Sequence, residues 1–321
     1  MLSTTIDGEP KKGAPLVTVA IITYNQEKFI EFAVNSVLEQ DYSNIQLVIC
    51  DDGSTDRTTA IIRHICSMPQ LRQLNITISD NNFNLGITGN CNRAVDLAEG
   101  EFIVFMGGDD VLHSNKISMQ VRYFIDNPTC CLIGHNLREI DSHGEDIGLH
   151  KSPIKKRKGF GAKDWIKFGM LAGAMSIMVR LEKDVTSRLR FDSRLKYSSD
   201  LKYFVDTLGA ERMWVTLPDV LGSYRKHPES ITTSKWDECV RDREMMFDIL
   251  DVEGGFDIHC VHYGRCYQVD YGRGLRAAQI GKYKQSMKIF IQVIKNEPRI
   301  MKAYMRFFQS LFFGMLNEWR K

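Results

Sequence analysis

The residue types best suited to chemistry stand together in one stretch, Glu101 to Asp110, where five apolar residues lead into Gly107-Gly108 and then two adjacent carboxylates. A short apolar run rich in aromatic and β-branched residues, stopped by two glycines, reads as a strand buried on both faces. Asp109 and Asp110 then sit just past its carboxyl end, where open α/β sheets take their ligands. Adjacent carboxylates repel. A hard divalent cation, Mn²⁺ or Mg²⁺, relieves that repulsion when phosphate oxygens complete its coordination. Taken alone, such a pair is more often a solvated turn, so the surrounding elements must decide.

Those elements alternate. Leu16 to Ile22 is an apolar run ending in Thr23-Tyr24-Asn25, and Glu27 to Glu39 repeats its apolar residues at helical spacing. Ile45 to Cys50 is a second strand that also ends in a carboxylate pair, Asp51-Asp52, followed by Gly53-Ser54-Thr55-Asp56 as capping residues for the next helix. A third strand over Asn75 to Ser79, a helix from Thr88 to Ala98, the opening stretch, a helix capped by Ser114 and a strand from Cys130 to Ile133 complete the pattern. Strand and helix alternating through short connections predict a doubly wound, mostly parallel sheet flanked by helices. Both Asp-Asp pairs then fall on one edge of it. The glycine loops that usually cradle phosphates are missing there. Gly272 to Ala277 mimics one, but it follows no convincing strand.

The bounds agree with a soluble enzyme-sized chain. With 321 residues, 43% of them hydrophobic and 26% charged, the chain buries a real core, and a net charge of +2 argues against nucleic acid as partner. Eight cysteines without framework spacing read as reduced thiols of a cytoplasmic protein. The first residues hold no apolar segment of the secretory kind, and no stretch is long enough to cross a bilayer.

These residues resemble family 2 glycosyltransferases of the GT-A fold. The matching pieces are Val19 to Asn25, Cys50 to Asp56, Asn84-Leu85-Gly86 with Gly89, Asn92 and Ala94, Ala98 to Glu101, and Gly108-Asp109-Asp110. The resemblance implies transfer of a sugar from a nucleotide-diphosphate donor (UDP-, dTDP- or GDP-linked) to a hydroxyl of a glycan or lipid-linked acceptor, with inversion in one displacement. It places Thr23, Tyr24, Asn25, Asp52, Asn92 and Asp109 around the nucleotide, and Asp110 on a divalent cation. Gly107-Gly108 stands where many members carry a larger residue before the pair, with no loss of metal expected.

On the acceptor side, Ala172 to Arg180 reads as a small-residue turn into a strand. Phe191 to Asp200 then resembles the family's Glu-Asp motif, with Ser199 in place of Glu and Asp200 as the implied general base. Asp200 is also well placed simply to cap the helix that follows. Tyr224 to Ser230 resembles the segment that closes over the diphosphate. On that likeness Arg225 and Ser230 hold phosphate oxygens and His227 joins the metal.

This divides the chain into a leader (1–15), a catalytic domain (16–232, with a nucleotide half 16–133 and an acceptor half 134–232) and an all-helical C-terminal extension (233–321). Ala277 to Tyr283 and Ser286 to Pro298 resemble one TPR-like helix pair. Met301 to Trp319 is a helix that either docks on the domain or lies in a membrane interface, seating the protein on the inner face of the cytoplasmic membrane. Lys151 to Lys158 is a basic loop, and His259, Cys260, His262 and Cys266 have zinc-ligand types without a zinc spacing. The competing functions are a non-catalytic adaptor with a degenerate sugar-nucleotide domain and a helical tail, and a nucleotidyltransferase. The intact set Asp52, Asp109, Asp110 and Asp200 favours the transferase.

Overall fold

The computed structural model of the chain describes residues 13–319, apart from 72–73, 82, 151–154, 156, 183, 185–186 and 231–233. Most of the leader and most of the basic Lys151 to Lys158 loop therefore lie outside the described residues. The strands of the sheet are β1 (Val17–Thr23), β2 (Ile45–Asp51), β3 (Asn75–Asp80), β4 (Phe102–Gly107), β5 (Val111–Leu112), β6 (Cys130–Ile140), β7 (Asp146–Leu149), β8 (Arg157–Phe160), β9 (Met178–Arg180) and β10 (Met213–Arg225). The helices are α1 (Ile30–Leu38), α2 (Thr58–Cys66), α3 (Gly86–Leu97), α4 (Lys116–Asp126), α5 (Lys163–Phe168), α6 (Ser199–Leu208), α7 (Trp236–Glu253), α8 (Ile258–Arg265), α9 (Tyr271–Gln279), α10 (Tyr283–Asn296) and α11 (Met301–Trp319).

The strand order is β3-β2-β1-β4-β9-β6-β10-β5. β3, β2, β1 and β4 run parallel, as the alternation predicts. The register aligns Thr23 of β1 with Asp51 of β2, and Ile22 with Gly107 of β4. The two carboxylate pairs are thus brought to one edge, on either side of β1. Side chains alternate as a doubly covered sheet requires. Val104 and Ile49 join the core under α1, α2 and α4, whereas Ile103, Val48 and Cys50 join the core under α3 and α6. Each such fully buried branched side chain contributes roughly 1.5–3 kcal/mol.

The acceptor half departs from the purely parallel expectation. β9 runs antiparallel between β4 and β6, so the strand beside β4 is β9 and not the one that follows it in sequence. β6 continues to Ile140 and pairs in parallel with β10, and β10 bends through three register shifts. Helix starts also move. α2 begins at Thr58, with the Asp56 carboxylate accepting from its backbone N–H at 2.9 Å, and the start of α4 carries no side-chain cap.

The helical extension is not a separate body at its start. Met246, Phe247 and Leu250 of α7 and Cys260 and Val261 of α8 belong to the same core as Ile103 and Trp165, whereas Phe290, Val293 and Ala303 form a separate small cluster. The hydrophobic boundary therefore falls near the π-helical turn Cys266–Asp270, about thirty residues after the expected one. The Gly272 to Ala277 mimic lies inside α9 and makes no phosphate loop. Cys260 donates to the Lys163 carbonyl and Cys266 lies 3.6 Å from His262, with no cluster of three metal-ligating side chains among the described residues.

One core lysine has a measurable consequence. Lys116 is fully buried, its ammonium bonded to Gln120 Oε1 at 2.9 Å, and burial pulls its pKa down to about 7. Between pH 7 and about 10.4 the unfolded chain holds a proton that the folded chain has released, so stability rises with pH in that window. Lys116→Met is expected to abolish that rise in urea titrations across pH 7–10. An unchanged slope would place the titrating group elsewhere.

Candidate active site

At the nucleotide edge, the turns after β1 and β2 are knitted together. Asn25, in the left-handed region at φ 52°, donates its backbone N–H to Ser54 Oγ and accepts from Thr55 N–H, each at 2.8 Å. Gln26 and Glu27 donate to Thr58 Oγ1 and the Asp56 carboxylate. Asp51 is turned inward onto Ser54 and Thr59, which separates its role from that of its neighbour. Asp52 accepts from Leu85 N–H at 2.7 Å and from Asn81 Nδ2 at 3.0 Å, both on Oδ1, leaving Oδ2 without a bond among the described residues. Tyr24 stands half exposed next to Thr23, whose carbonyl accepts from Asp52 N–H at 2.9 Å. Thr23 Oγ1 is buried and donates to Gln26.

Beyond β4, Asp109 and Asp110 converge over Gly107. A Cβ on that glycine would run into Asp109 Oδ1 and lie 3.3 Å from Asp110 Oδ2, so the small residue is what admits both carboxylates. Asp110 is buried, and burial and then the charge of Asp109 push its pKa well above the usual carboxylate range. Asp109 Oδ2 meets His227 Nε2 at 3.0 Å, and that bond raises the imidazole pKa. Two carboxylates and an imidazole in contact with one of them are the residue types a hard divalent cation takes, but no group of three side chains among the described residues is arranged to hold one. His227 touches Asp109 and not Asp110, so the expected pairing of metal ligands is seen only as a neighbourhood.

Three residues expected at the nucleotide or the diphosphate also make bonds within the fold. Arg225 is only 3% exposed, and it is a buttress of the loop. Its Nε donates to the Asp109 carbonyl and a terminal nitrogen donates to the Asp141 carbonyl, at 2.8 and 2.9 Å. Its guanidinium lies 4.9 Å from the centre of the Phe29 ring, and the backbone N–H of Arg225 donates to Asp110 Oδ1. The side-chain bonds engage two of its five N–H groups, so the buttress and the expected phosphate contact are compatible. Ser230 closes the turn with His227 in both directions, its Oγ accepting at 3.2 Å and its N–H donating at 3.0 Å. Asn92 clamps the Phe191 peptide, with its amide engaged at both ends. None of these bonds is visible in spacing along the chain.

The acceptor half contributes α6. Asp200 lies in its first turn and accepts from Leu201 N–H at 2.6 Å. The preceding loop is held by α7, because the Asp242 carboxylate accepts from the N–H groups of Lys196, Tyr197 and Ser198 at 2.6–2.9 Å. Arg243 donates to Ser198 Oγ at 3.1 Å, and its charge faces Asp200 and Asp242. Thr88 of α3 bonds Ser199, and the buried Cys91 thiol feels the charges of both Asp200 and Asp52. Asp200 is therefore within electrostatic reach of the nucleotide edge. Asp242 and Arg243 escaped the sequence reading; the available signal was an acid in register with the buried face of an otherwise apolar helix stripe.

The model of the family described as Glycosyl transferase family 2 matches residues 18–185. The chain belongs to that family. Family 2 relatives from Escherichia coli include UDP-Glc:alpha-D-GlcNAc-diphosphoundecaprenol beta-1,3-glucosyltransferase WfgD, 31% identical over 44% of this chain and 52% of that protein. The chain thus spans about half the length of that relative. A second enzyme of the same description, WfaP, is 27% identical over 77% of this chain and 92% of its own length. Among solved structures, Staphylococcus aureus TarS 1-349 in complex with UDP-GlcNAc superposes with a TM-score of 0.63 at 19% identity, covering 95% of this chain and 92% of that one. The mannosyltransferase PcManGT from Pyrobaculum calidifontis, in complex with GDP-Man and Mn²⁺, gives 0.59 at 16% identity over 98% and 90%. The family 2 fold, GT-A, is therefore shared through the helical extension as well as the sheet.

Asp242→Ala removes three charged hydrogen bonds at once. It is expected to cost on the order of 3 kcal/mol in urea unfolding and to speed amide exchange at Lys196 to Ser198 before the rest of the chain. Unaltered exchange in that loop would show that α7 does not hold it.

Proposed function

We propose that the chain transfers a sugar from a nucleotide-diphosphate donor to a hydroxyl of a lipid-linked glycan, with inversion and with a divalent cation. The observation that carries the reading is the division of carboxylates between two walls. Asp52, Asp109 and Asp110 follow strands at one sheet edge, and Asp200 lies in the first turn of α6, near enough that its charge and that of Asp52 both act on Cys91. Inversion by single displacement needs that division, with charge stabilisation on the leaving-group side and one base on the acceptor side. The lipid-linked acceptor is suggested by the diphosphoundecaprenol named for the two Escherichia coli relatives.

In this reading the open oxygen of Asp52 receives a base N–H, and Tyr24 covers the base face. Asp110, with Asp109 and His227, would hold the cation, which when bound neutralises charge developing on the leaving diphosphate. Arg225 keeps the carboxylate loop in place from below. Asp200 accepts the proton of the attacking hydroxyl, with the Arg243 guanidinium facing it. A second, non-catalytic reading would leave the two-walled arrangement of acids without a use.

Asp200→Asn is expected to lower turnover by ~10²–10⁴-fold with donor affinity nearly unchanged, and chelation should abolish turnover in the unaltered enzyme. The product of an α-linked donor should be β-linked by NMR. Ordinary turnover in Asp200→Asn, or a retained linkage, would overturn the assignment.

The reading also includes a seat at a membrane surface. No helix among the described residues is long and apolar enough to cross a membrane. α11, however, exposes Met301, Met305, Phe308, Phe312 and Met315 along one stripe, with Lys302 and Arg306 beside it and no acidic residue before Glu318. An apolar stripe with a cationic flank matches an anionic lipid surface. Phe308 and Phe312 are 62% and 57% exposed, so replacing both by Ser should leave the thermal transition in place while abolishing flotation with phosphatidylglycerol vesicles. Flotation that persists would rule the stripe out as the seat.

A further inference from the structure

The sharpest unassigned feature is a cavity of about 510 Å³ between α7, α9 and α10. Four cationic side chains line it: Arg241, Arg273, Arg276 and Lys282, against one acid, Asp237. Arg273 is neutralised by Glu244 at 2.7 Å. Arg241, Arg276 and Lys282 have no ion pair among the described residues, although Arg276 lies 5.5 Å from the centre of the Trp236 ring. Apart from Gln285 the remainder of the lining is apolar, with Val240, Ala277, Ile280 and Ile289. Three cations gathered in one concavity repel each other, and water with counter-ions relieves this less well than a bound oxyanion does. The Trp236 ring and the aliphatic wall suit a substituent carried on that anion.

Position narrows the ligand. Trp236 and Val240 stand four residues apart on one face of α7, while Glu238 and Asp242, each two residues further on, lie on the reverse face at about 100° per residue. That reverse face holds Tyr197 and the loop leading to Asp200, through Tyr197 Oη on Glu238 at 2.9 Å and the three N–H groups on Asp242. A single helix thus carries the cavity on one side and the acceptor wall on the other, separated by roughly a helix diameter, 10–12 Å. A short glycan covers that distance.

We infer that this cavity takes the phosphate or diphosphate group that links the acceptor glycan to its lipid, while the sugar hydroxyl reaches Asp200 round the end of α7. The inference rests on the transferase reading and adds a site to it. It makes the extension, and not only the GT-A sheet, the part that distinguishes a phosphate-linked acceptor from a neutral sugar. α10 lends Gln285 and Ile289 to the cavity and packs against α11, which brings the exposed stripe of α11 and the cationic cavity onto neighbouring helices.

The test uses the full chain in excess chelator, so that the carboxylate site cannot take phosphate through a metal, with inorganic pyrophosphate as probe in calorimetry. Saturable binding is expected, weakened roughly tenfold in Arg241→Glu/Lys282→Glu and less in Arg241→Gln/Lys282→Gln, in proportion to the charge removed. Both positions are exposed, so a retained thermal transition in the Gln pair guards against misfolding. Equal binding by all three proteins would overturn the site. In turnover, the KM ratio between a neutral-aglycone acceptor and a diphosphate-linked one is expected to shift by about tenfold in the Glu pair. An unchanged ratio overturns the acceptor role. Phosphatidylglycerol vesicles form the third arm. Vesicle binding that is lost in the Glu pair while pyrophosphate fails to bind the unaltered chain would assign the cavity to lipid headgroups and overturn the inference. Absence of transfer to either acceptor would sink the transferase reading alone, since pyrophosphate binding still decides the cavity.

Discussion

Asp110 is a carboxylate buried at the end of a strand beside a second carboxylate, and much of the local architecture can be traced to making that tolerable. Desolvation and the charge of Asp109 both work against its ionised form. Partial relief comes from β10. The two-residue strand β5 begins immediately after Asp110 and pairs antiparallel with Gly222 and Ser223. That pairing delivers Arg225, whose backbone N–H bonds Asp110 and whose guanidinium grips the Asp109 carbonyl. Phe29, at the start of α1, packs against both Arg225 and His227. The nucleotide half and the far end of the acceptor half are thus joined at the one place where uncompensated negative charge is concentrated.

That arrangement leaves the carboxylates incompletely compensated. Arg225 approaches through main-chain bonds and a ring, and donates no side-chain N–H to either carboxylate in the bonds described. The observed arrangement holds the loop still without a full salt bridge to either carboxylate. Glycine at 107 belongs to the same compromise, because a side chain there would part the two carboxylates.

The acceptor wall follows a different principle. Asp200 is positioned by neighbours more than forty residues later in the chain, Asp242 and Arg243, on a helix whose apolar face completes the main core. The C-terminal helices therefore begin as part of the support of the loop before Asp200 and end as an outlying layer. Relatives that share the sheet but differ after it would differ in how this wall is held and in what it admits.

The sequence by itself determined the β-α alternation, the parallel order of the first strands and the meeting of two Asp-Asp pairs at one edge, because these depend on local periodicity and on the geometry of right-handed crossovers. It also pointed to Asp200 through the residues around it. Only the tertiary structure decided what each polar side chain does once buried. Arg225, Ser230 and Asn92 look free in the sequence, yet each is committed to backbone groups of residues that folding brings near. Asp242 looks like a surface acid of a helix, yet it holds the loop before Asp200. The physical reason is that a buried donor or acceptor must find a partner, and which partner is available is set by packing between distant segments, which spacing along the chain does not encode.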